Sequence, residues 1–247
     1  MIVHVPQDRS AAYLISIPRD LAVEIPGYGR GKINSAFFYG GLHRGVESNR
    51  GGAQLVQRVL TEVTGLRFDG SVALTFTALR KLTDAVGGVR LCLDHRVMSI
   101  HSGHLFPAGC QHLDGRSAMD LLRQRRDLPE GGHDRDRNGQ RFLRALLTET
   151  ATQETLTDPV KMAALLRAAG DGLTLDTGDL PLTDLLPVVQ QMIGAEAVGI
   201  GWSFQSAGFD GDGRARLDPE LSASLFDAMR GNTLRKWVRA HPQQVTP

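Results

Sequence analysis

Residues 68–92 read FDGSVALTFTALRKLTDAVGGVRLC. Residues 68–76 alternate apolar and polar character, as a strand with one buried face does, and residues 77–86 change to helical spacing with Leu79, Leu82 and Val86 on one side. Gly87-Gly88 then marks a turn, and Val89-Arg90-Leu91-Cys92 is again rich in strand formers. Strand, helix and strand within one short stretch point to the α/β class.

The same reading extends in both directions. Ile2-Val3-His4-Val5 and Tyr13-Leu14-Ile15-Ser16-Ile17 are β-rich runs separated by the polar Gln7-Asp8-Arg9-Ser10, so an antiparallel hairpin is expected. From Gly52 to Thr64, Ala53, Val56, Val59, Leu60 and Val63 recur at helical spacing, and Gly65 stands where a left-handed cap ends a helix. Downstream, Asp114 is placed to cap a short helix through Leu122. Helices are also expected over Asp134 to Thr150, Pro159 to Ala169, Leu182 to Ile193, Leu221 to Met229 and Thr233 to Ala240. A strand pair is expected around Ile200 to Phe204 and Ala215 to Leu217. Without repeats or long linkers, one α/β domain accounts for the pattern.

Composition sets outer bounds. The chain has 247 residues, 41% of them apolar and 22% charged, the profile of an ordinary globular protein with a sizeable core. A net charge of +1 argues against a broad basic surface for nucleic acid. Any anion site must be local, and from Arg116 to Arg144 eight Arg stand against five acids. Two cysteines, Cys92 and Cys110, leave room for a single bridge and lack the companions of a zinc site. No run approaches the roughly 20 apolar residues of a membrane helix, and no signal peptide precedes the domain. A core strand at the first residue is unusual, so further chain is expected upstream.

Several segments carry chemistry. Ser16-Ile17-Pro18-Arg19-Asp20 ends a strand, and Pro18 stops the ladder and presents Arg19 at the sheet edge. The alternative for Arg19 is a surface pair with Asp20. Gly29-Arg30-Gly31-Lys32-Ile33-Asn34 reads as a glycine-flanked basic loop that lets backbone approach phosphate oxygens. Arg123-Gln124-Arg125 sets two guanidinium groups two residues apart, on one face of an extended chain, which suits a diphosphate. Asp134-Arg135 opens a helix whose first turn attracts anions; a solvated charged stretch is the alternative.

Taken together, these segments resemble the LytR-CpsA-Psr family. The likeness is carried by Ile15-Ser16-Ile17-Pro18-Arg19-Asp20, by Lys32-Ile33-Asn34-Ser35-Ala36 with Gly40-Gly41, and by Leu82-Thr83-Asp84-Ala85-Val86-Gly87-Gly88-Val89. Leu113-Asp114-Gly115-Arg116-Ser117-Ala118 running into Arg123-Gln124-Arg125, and then Asp134-Arg135, complete it. Leu217-Asp218-Pro219 to Pro242 resembles the tail of actinobacterial members. The resemblance implies a three-layer α/β/α domain with a mixed central sheet over residues 1–150, with a small C-terminal α/β extension over 151–247 packed on it.

It also implies function. Family members sit on the outer face of the cytoplasmic membrane and transfer a glycopolymer, such as teichoic acid or arabinogalactan, from polyprenyl pyrophosphate to peptidoglycan. Carried over by position, Arg19, Arg123, Arg125 and Arg135 would hold the diphosphate as the catalytic set, with Asp20, Lys32 and Asn34 shaping the substrate site. The extracytoplasmic setting permits a Cys92–Cys110 disulfide. The family uses Mg²⁺, and the acids that help bind it would precede the first strand, ahead of Met1, so no metal ligands are assigned in this chain.

The sequence departs from the family in one region. An Arg-Gln pair is replaced by Asn138-Gly139, and an Asp by Gly132, which points to weakened turnover. A non-catalytic envelope protein that binds the lipid pyrophosphate is therefore the second reading. A transcriptional regulator is a third, but no helix-turn-helix with a basic recognition helix is present. Two decoys are set aside. Asp210-Gly211-Asp212-Gly213 fails as a calcium loop because Arg214 follows where a ligand should stand, so a hairpin turn is expected. His95, His101, His104 and His112 fit no zinc spacing.

Overall fold

The computed structural model describes residues 1–42, 48–124, 128, 129, 131–152, 155, 158–178, 181, 196–201 and 208–246, with backbone only at 132, 133 and 196. The expected helix from Leu182 to Ile193 lies outside the described residues. In chain order the first elements are β1 (Ile2–His4), β2 (Ala11–Ile15), β3 (Ala22–Ile25), β4 (Gly29–Lys32), α1 (Ile33–Gly41), α2 (Asn49–Thr64), β5 (Ser71–Leu74) and α3 (Phe76–Ala85). There follow β6 (Val89–Leu93), β7 (Val97–Met98), β8 (Leu105–Phe106), β9 (Gly109–Leu113), α4 (Gly115–Arg123), α5 (Gly132–Thr152) and α6 (Pro159–Ala169). β10 (Leu173–Asp176), β11 (Glu196–Ile200), α7 (Pro219–Arg230), α8 (Leu234–Ala240) and β12 (Val245–Thr246) close the chain.

Two compact units divide these elements: Met1–Ala73 with Thr174–Val188 and Ala195–Pro247, and Leu74–Leu173 with Val189–Gly194. The fold is mixed α/β. In the first unit a mixed sheet runs β1-β2-β11-β12. β1 and β2 pair antiparallel with Ile2 opposite Ile15, β11 pairs parallel with β2, and β12 pairs antiparallel with β11. Every residue of β2 is buried, because an interior strand covered on both faces needs a continuous apolar run rather than alternation. Tyr13, Ile15 and Ile200 pack with Leu225, Met229 and Trp237 of the C-terminal helices. The Trp237 indole N–H donates to Ser224 Oγ at 2.9 Å, meeting the need of a buried donor.

Two local expectations are corrected here. Of the expected strand from Ile200 to Phe204, residues 202–204 lie outside the described residues; Ile200 belongs to β11, which takes β2 and β12 as neighbours, and among the described residues Ala215 makes single bridges to Leu21 and Phe209. Alternation identifies a strand but not its partner, and this parallel partner is distant in sequence. Gly29 to Lys32 is a strand rather than a loop, paired with β3 from Ala22 opposite Lys32 to Ile25 opposite Gly29.

In the second unit β6 and β9 form an antiparallel ladder with Cys92 opposite Cys110. Val89, Leu91 and Leu93 alternate inward from β6 and pack with Phe106, Leu121 and Phe142. Asp114 caps α4 by accepting from Ser117 N at 2.7 Å, and that bond holds its carboxyl below the ordinary carboxylate range. At the next position, a Cβ on Gly115 would collide with the Arg80 carbonyl oxygen and come within 2.8 Å of Asp84 Oδ1. Gly115 N donates to that same Asp84 oxygen at 2.7 Å. The start of α4 thus lies directly against α3, an approach only glycine permits.

α5 begins two residues before Asp134, which falls in its first turn. Farther along, a Cβ on Gly139 would meet nothing within 4 Å among the described residues. Gly139→Ala is therefore expected to raise stability by about 1 kcal/mol, the helix-interior difference between the two residues. A urea midpoint that fails to rise would show that this space is occupied.

Candidate functional site

The site is assembled by a turn. β2 ends at Ile15, and Leu21 N donates to Pro18 O at 3.1 Å, closing a turn with Arg19 and Asp20 at its corner. The start of α1 is fastened to this turn: Ile33 N donates to Leu21 O at 2.9 Å and Asn34 N to Arg19 O at 3.1 Å. Lys32, the residue before α1, thereby meets Asp20. Asp20 Oδ1 lies 3.3 Å from Lys32 Nζ and 3.8 Å from Arg19 Nε.

All three side chains are more than a third exposed, so each pair contributes little to stability. Their value is in the charge they leave. Two cations share one carboxylate at the positive end of a helix dipole, and the Lys32 side chain makes no capping bond there, which leaves a site for anions. Asn34 belongs to the same corner, and its Oδ1 is buried with no hydrogen-bond partner among the described residues.

The other named arginines fall in the second unit. Arg123 stands in the last turn of α4, not in extended chain, with its guanidinium carbon 5.8 Å from the Phe76 ring centroid. It also lines a cavity with Arg80 and Arg116. Arg125 lies outside the described residues. Arg135 donates to the neighbouring Asp136 at 3.1 Å. Buried Asp134 sits 3.5 Å from Arg137 and 4.0 Å from His95, and Arg137 and Arg141 both reach Asp94. Asn138 is buried at 5% exposure. Thus, in the first unit, Arg19, Asp20, Lys32 and Asn34 are brought together; in the second, Arg123 stands with Arg80 and Arg116, and Arg135 is matched with an adjacent acid.

Sequence reasoning missed Gln124. Fully buried after α4, it donates to Met98 O and accepts from Ile100 N at 3.3 Å, pinning α4 to the segment that follows β7. It also missed Arg80 and Arg116. The available signal was the spacing of Arg116, Asp120 and Arg123, which places them on one face of a helix capped by Asp114.

The described residues contain no cluster of three His, Cys, Asp or Glu able to hold a metal ion, and the Asp20 carboxylate already faces two cations. The described residues therefore do not fit a divalent metal. The histidines are dispersed: His112 Nε2 bonds Gly87 O at 2.8 Å, His95 faces Asp134, and His101 and His104 line the cavity. Asp210 to Gly213 forms a turn bridged at Phe209 and Ala215. The Arg214 backbone N–H, followed by its side chain, holds the Asp210 carboxyl down to about 2. Cys92 and Cys110 are joined in a disulfide across the β6–β9 ladder.

The profile of the LytR_cpsA_psr family matches residues 1–202, and the chain belongs to this family. It is 34% identical over 193 residues to the cell wall biosynthesis protein LcpA of Corynebacterium glutamicum, covering 72% of this chain and 37% of that protein. It is also 28% identical over 163 residues to the polyisoprenyl-teichoic acid–peptidoglycan teichoic acid transferase TagU of Oceanobacillus iheyensis, covering 66% of this chain and 48% of that one. The chain thus spans less than half the length of these two relatives. The structure of B. subtilis TagT bound to LI-WTA superposes with a TM-score of 0.68 at 20% identity, covering 94% of this chain and 82% of TagT. That likeness shows the fold. The LcpA match places the chain with actinobacterial-type members of a cell-envelope family. No described helix is long and apolar enough to cross a membrane.

Proposed function

We propose that this chain binds the diphosphate of a polyprenyl-pyrophosphate-linked glycopolymer at the envelope and passes the glycopolymer to peptidoglycan. The observation that carries this reading is the corner where Arg19 and Lys32 share Asp20 against the start of α1. An anion there meets a guanidinium fork, an ammonium and a helix terminus, each favouring the charged ligand. Two relatives support the choice of ligand, since LcpA is named for cell wall biosynthesis and TagU for moving teichoic acid from a polyisoprenyl carrier to peptidoglycan. The Cys92–Cys110 disulfide suits an oxidising compartment outside the cytoplasm.

In the transfer, an acceptor hydroxyl oxygen forms a bond to the phosphorus on the polymer side. The bridging P–O bond breaks, polyprenyl monophosphate leaves with that electron pair, and the hydroxyl proton passes to a base. Arg19 and Lys32 would hold the phosphate oxygens and stabilise charge gathering on the leaving oxygen. A binder without turnover is the second reading, favoured by Gly132 and by Asn138-Gly139. Slow turnover would reconcile the cations at this corner with these departures.

The experiment measures binding of a polyprenyl diphosphate in detergent micelles, and release of polyprenyl monophosphate when a lipid-linked polymer and peptidoglycan are supplied. Arg19→Ala is expected to weaken binding by about tenfold to a hundredfold, the loss of one charge-assisted contact, with its thermal midpoint unchanged. Equal affinity in the variant would remove Arg19 from the site. Tight binding with no monophosphate released would establish the binder reading.

A further inference from the structure

We propose that the cavity between α3, α4 and the β7–β8 hairpin is a binding site for a sugar that carries a phosphate group. Its volume is about 460 Å³, within the range of small-molecule pockets. It lies wholly inside the second unit. Arg80 of α3 and Arg116 and Arg123 of α4 line it, the two α4 residues lying two turns apart on one face. What brings the helices together is Gly115, whose missing side chain lets the start of α4 rest against the Arg80 carbonyl.

One carboxylate, Asp120, shares the cavity with these arginines, and its two oxygens are turned to hydroxyls. Asp120 lies between Arg116 and Arg123 on the same helical face, at the separations where ion pairs form. Its Oδ1 instead accepts from Ser99 Oγ at 2.6 Å and its Oδ2 from Ser102 Oγ. Among the described residues no ion pair joins a carboxylate to Arg80, Arg116 or Arg123, and the Asp114 carboxylate, outside the cavity lining, is the acid that feels the charge of Arg116. The cavity therefore holds three guanidinium groups against one carboxylate, whose serine bonds leave its charge in place, so positive charge is in excess.

Positive charge gathered in a concave site concentrates the field on an incoming anion. Forks arriving from two helices match the oxygens of a phosphate better than ammonium groups would. The same Asp120 bonds fix the loop carrying His101 and His104, whose rings, with the Ser117 hydroxyl, add hydrogen-bonding groups to the lining. Those groups suit sugar hydroxyls. The phosphate is inferred from the guanidinium groups alone; the sugar rests on the reading that this chain handles a glycopolymer.

The test titrates the intact chain with glucose 1-phosphate, glucose and inorganic phosphate, following the imidazole NMR signals of His101 and His104 and measuring affinity by calorimetry. Glucose 1-phosphate is expected to shift both histidines and to bind at least tenfold more tightly than either other probe. Arg80→Ala with Arg116→Ala should weaken it at least tenfold, while Arg80→Lys with Arg116→Lys should lose only part of the affinity. Both arginines are exposed, so an unchanged thermal midpoint can be required of each variant. Arg19→Ala should leave glucose 1-phosphate binding intact while weakening polyprenyl diphosphate, which separates this site from the one proposed above. Unmoved histidine signals, or affinity unchanged in the double alanine variant, would overturn the proposal. Inorganic phosphate binding as tightly as glucose 1-phosphate would overturn its sugar component.

Discussion

Gly115→Ala is expected to destabilise the second unit by about 3 kcal/mol, the upper part of the range for overpacking a rigid contact. The added methyl group would collide with the Arg80 carbonyl oxygen, and the next obstacle is Asp84 Oδ1 at 2.8 Å. Neither can yield cheaply. The carbonyl belongs to the backbone of α3, and Asp84 is the acceptor of the Gly115 N–H itself. Relief requires α4 to move off α3, which lengthens that bond and opens the packing of Ala118 and Leu121 behind it. Urea unfolding measures the cost, and glucose 1-phosphate binding measures the geometry, because Arg80 and Arg116 are held in register by this contact. A variant as stable as the parent would mean that α3 and α4 can separate without penalty.

Much of the architecture is legible in local sequence because local chemistry decides it. Gly65 takes the left-handed cap at φ 66° that its place after a helical run demands, and Asp158 with Pro159 starts α6 as side-chain cap and first residue. β2 ends at Ile15, and Pro18 opens the turn that carries Arg19 and Asp20, so this corner can be read from turn chemistry alone. What sequence cannot supply is distance along the chain. The parallel partner of β2 is β11, far downstream, and no alternation in either strand names the other. The strand at Gly29-Arg30-Gly31-Lys32 lacks an apolar face, and only its register with Ala22 to Ile25 makes it a strand. Arg80 and Arg116 look like ordinary solvated cations until Gly115 closes the gap between their helices. Asp120 passes for their ion-pair partner until its oxygens are seen to accept from the hydroxyls of Ser99 and Ser102.

Reducing the Cys92–Cys110 bond, or replacing both residues with serine, is expected to lower the stability of the second unit by about 3 kcal/mol, the chain-entropy value for a loop of this length. The bond spans 18 residues, and the closed loop carries the β7–β8 hairpin together with His101 and His104. Without it the denatured chain regains the freedom of that loop, while the native ladder still pairs Val89 with Leu113 and Leu91 with Gln111. The loss should therefore appear as easier opening rather than as a different fold. Amide hydrogen exchange distinguishes the two: protection should fall at Leu91, Cys92 and Gln111 in reducing buffer, whereas Tyr13 and Leu14 of β2, in the other unit, should keep theirs. Exchange at Leu91 and Gln111 unaffected by reductant would show that the ladder and the packing of Val89, Leu91 and Leu113 already hold this hairpin without the bridge.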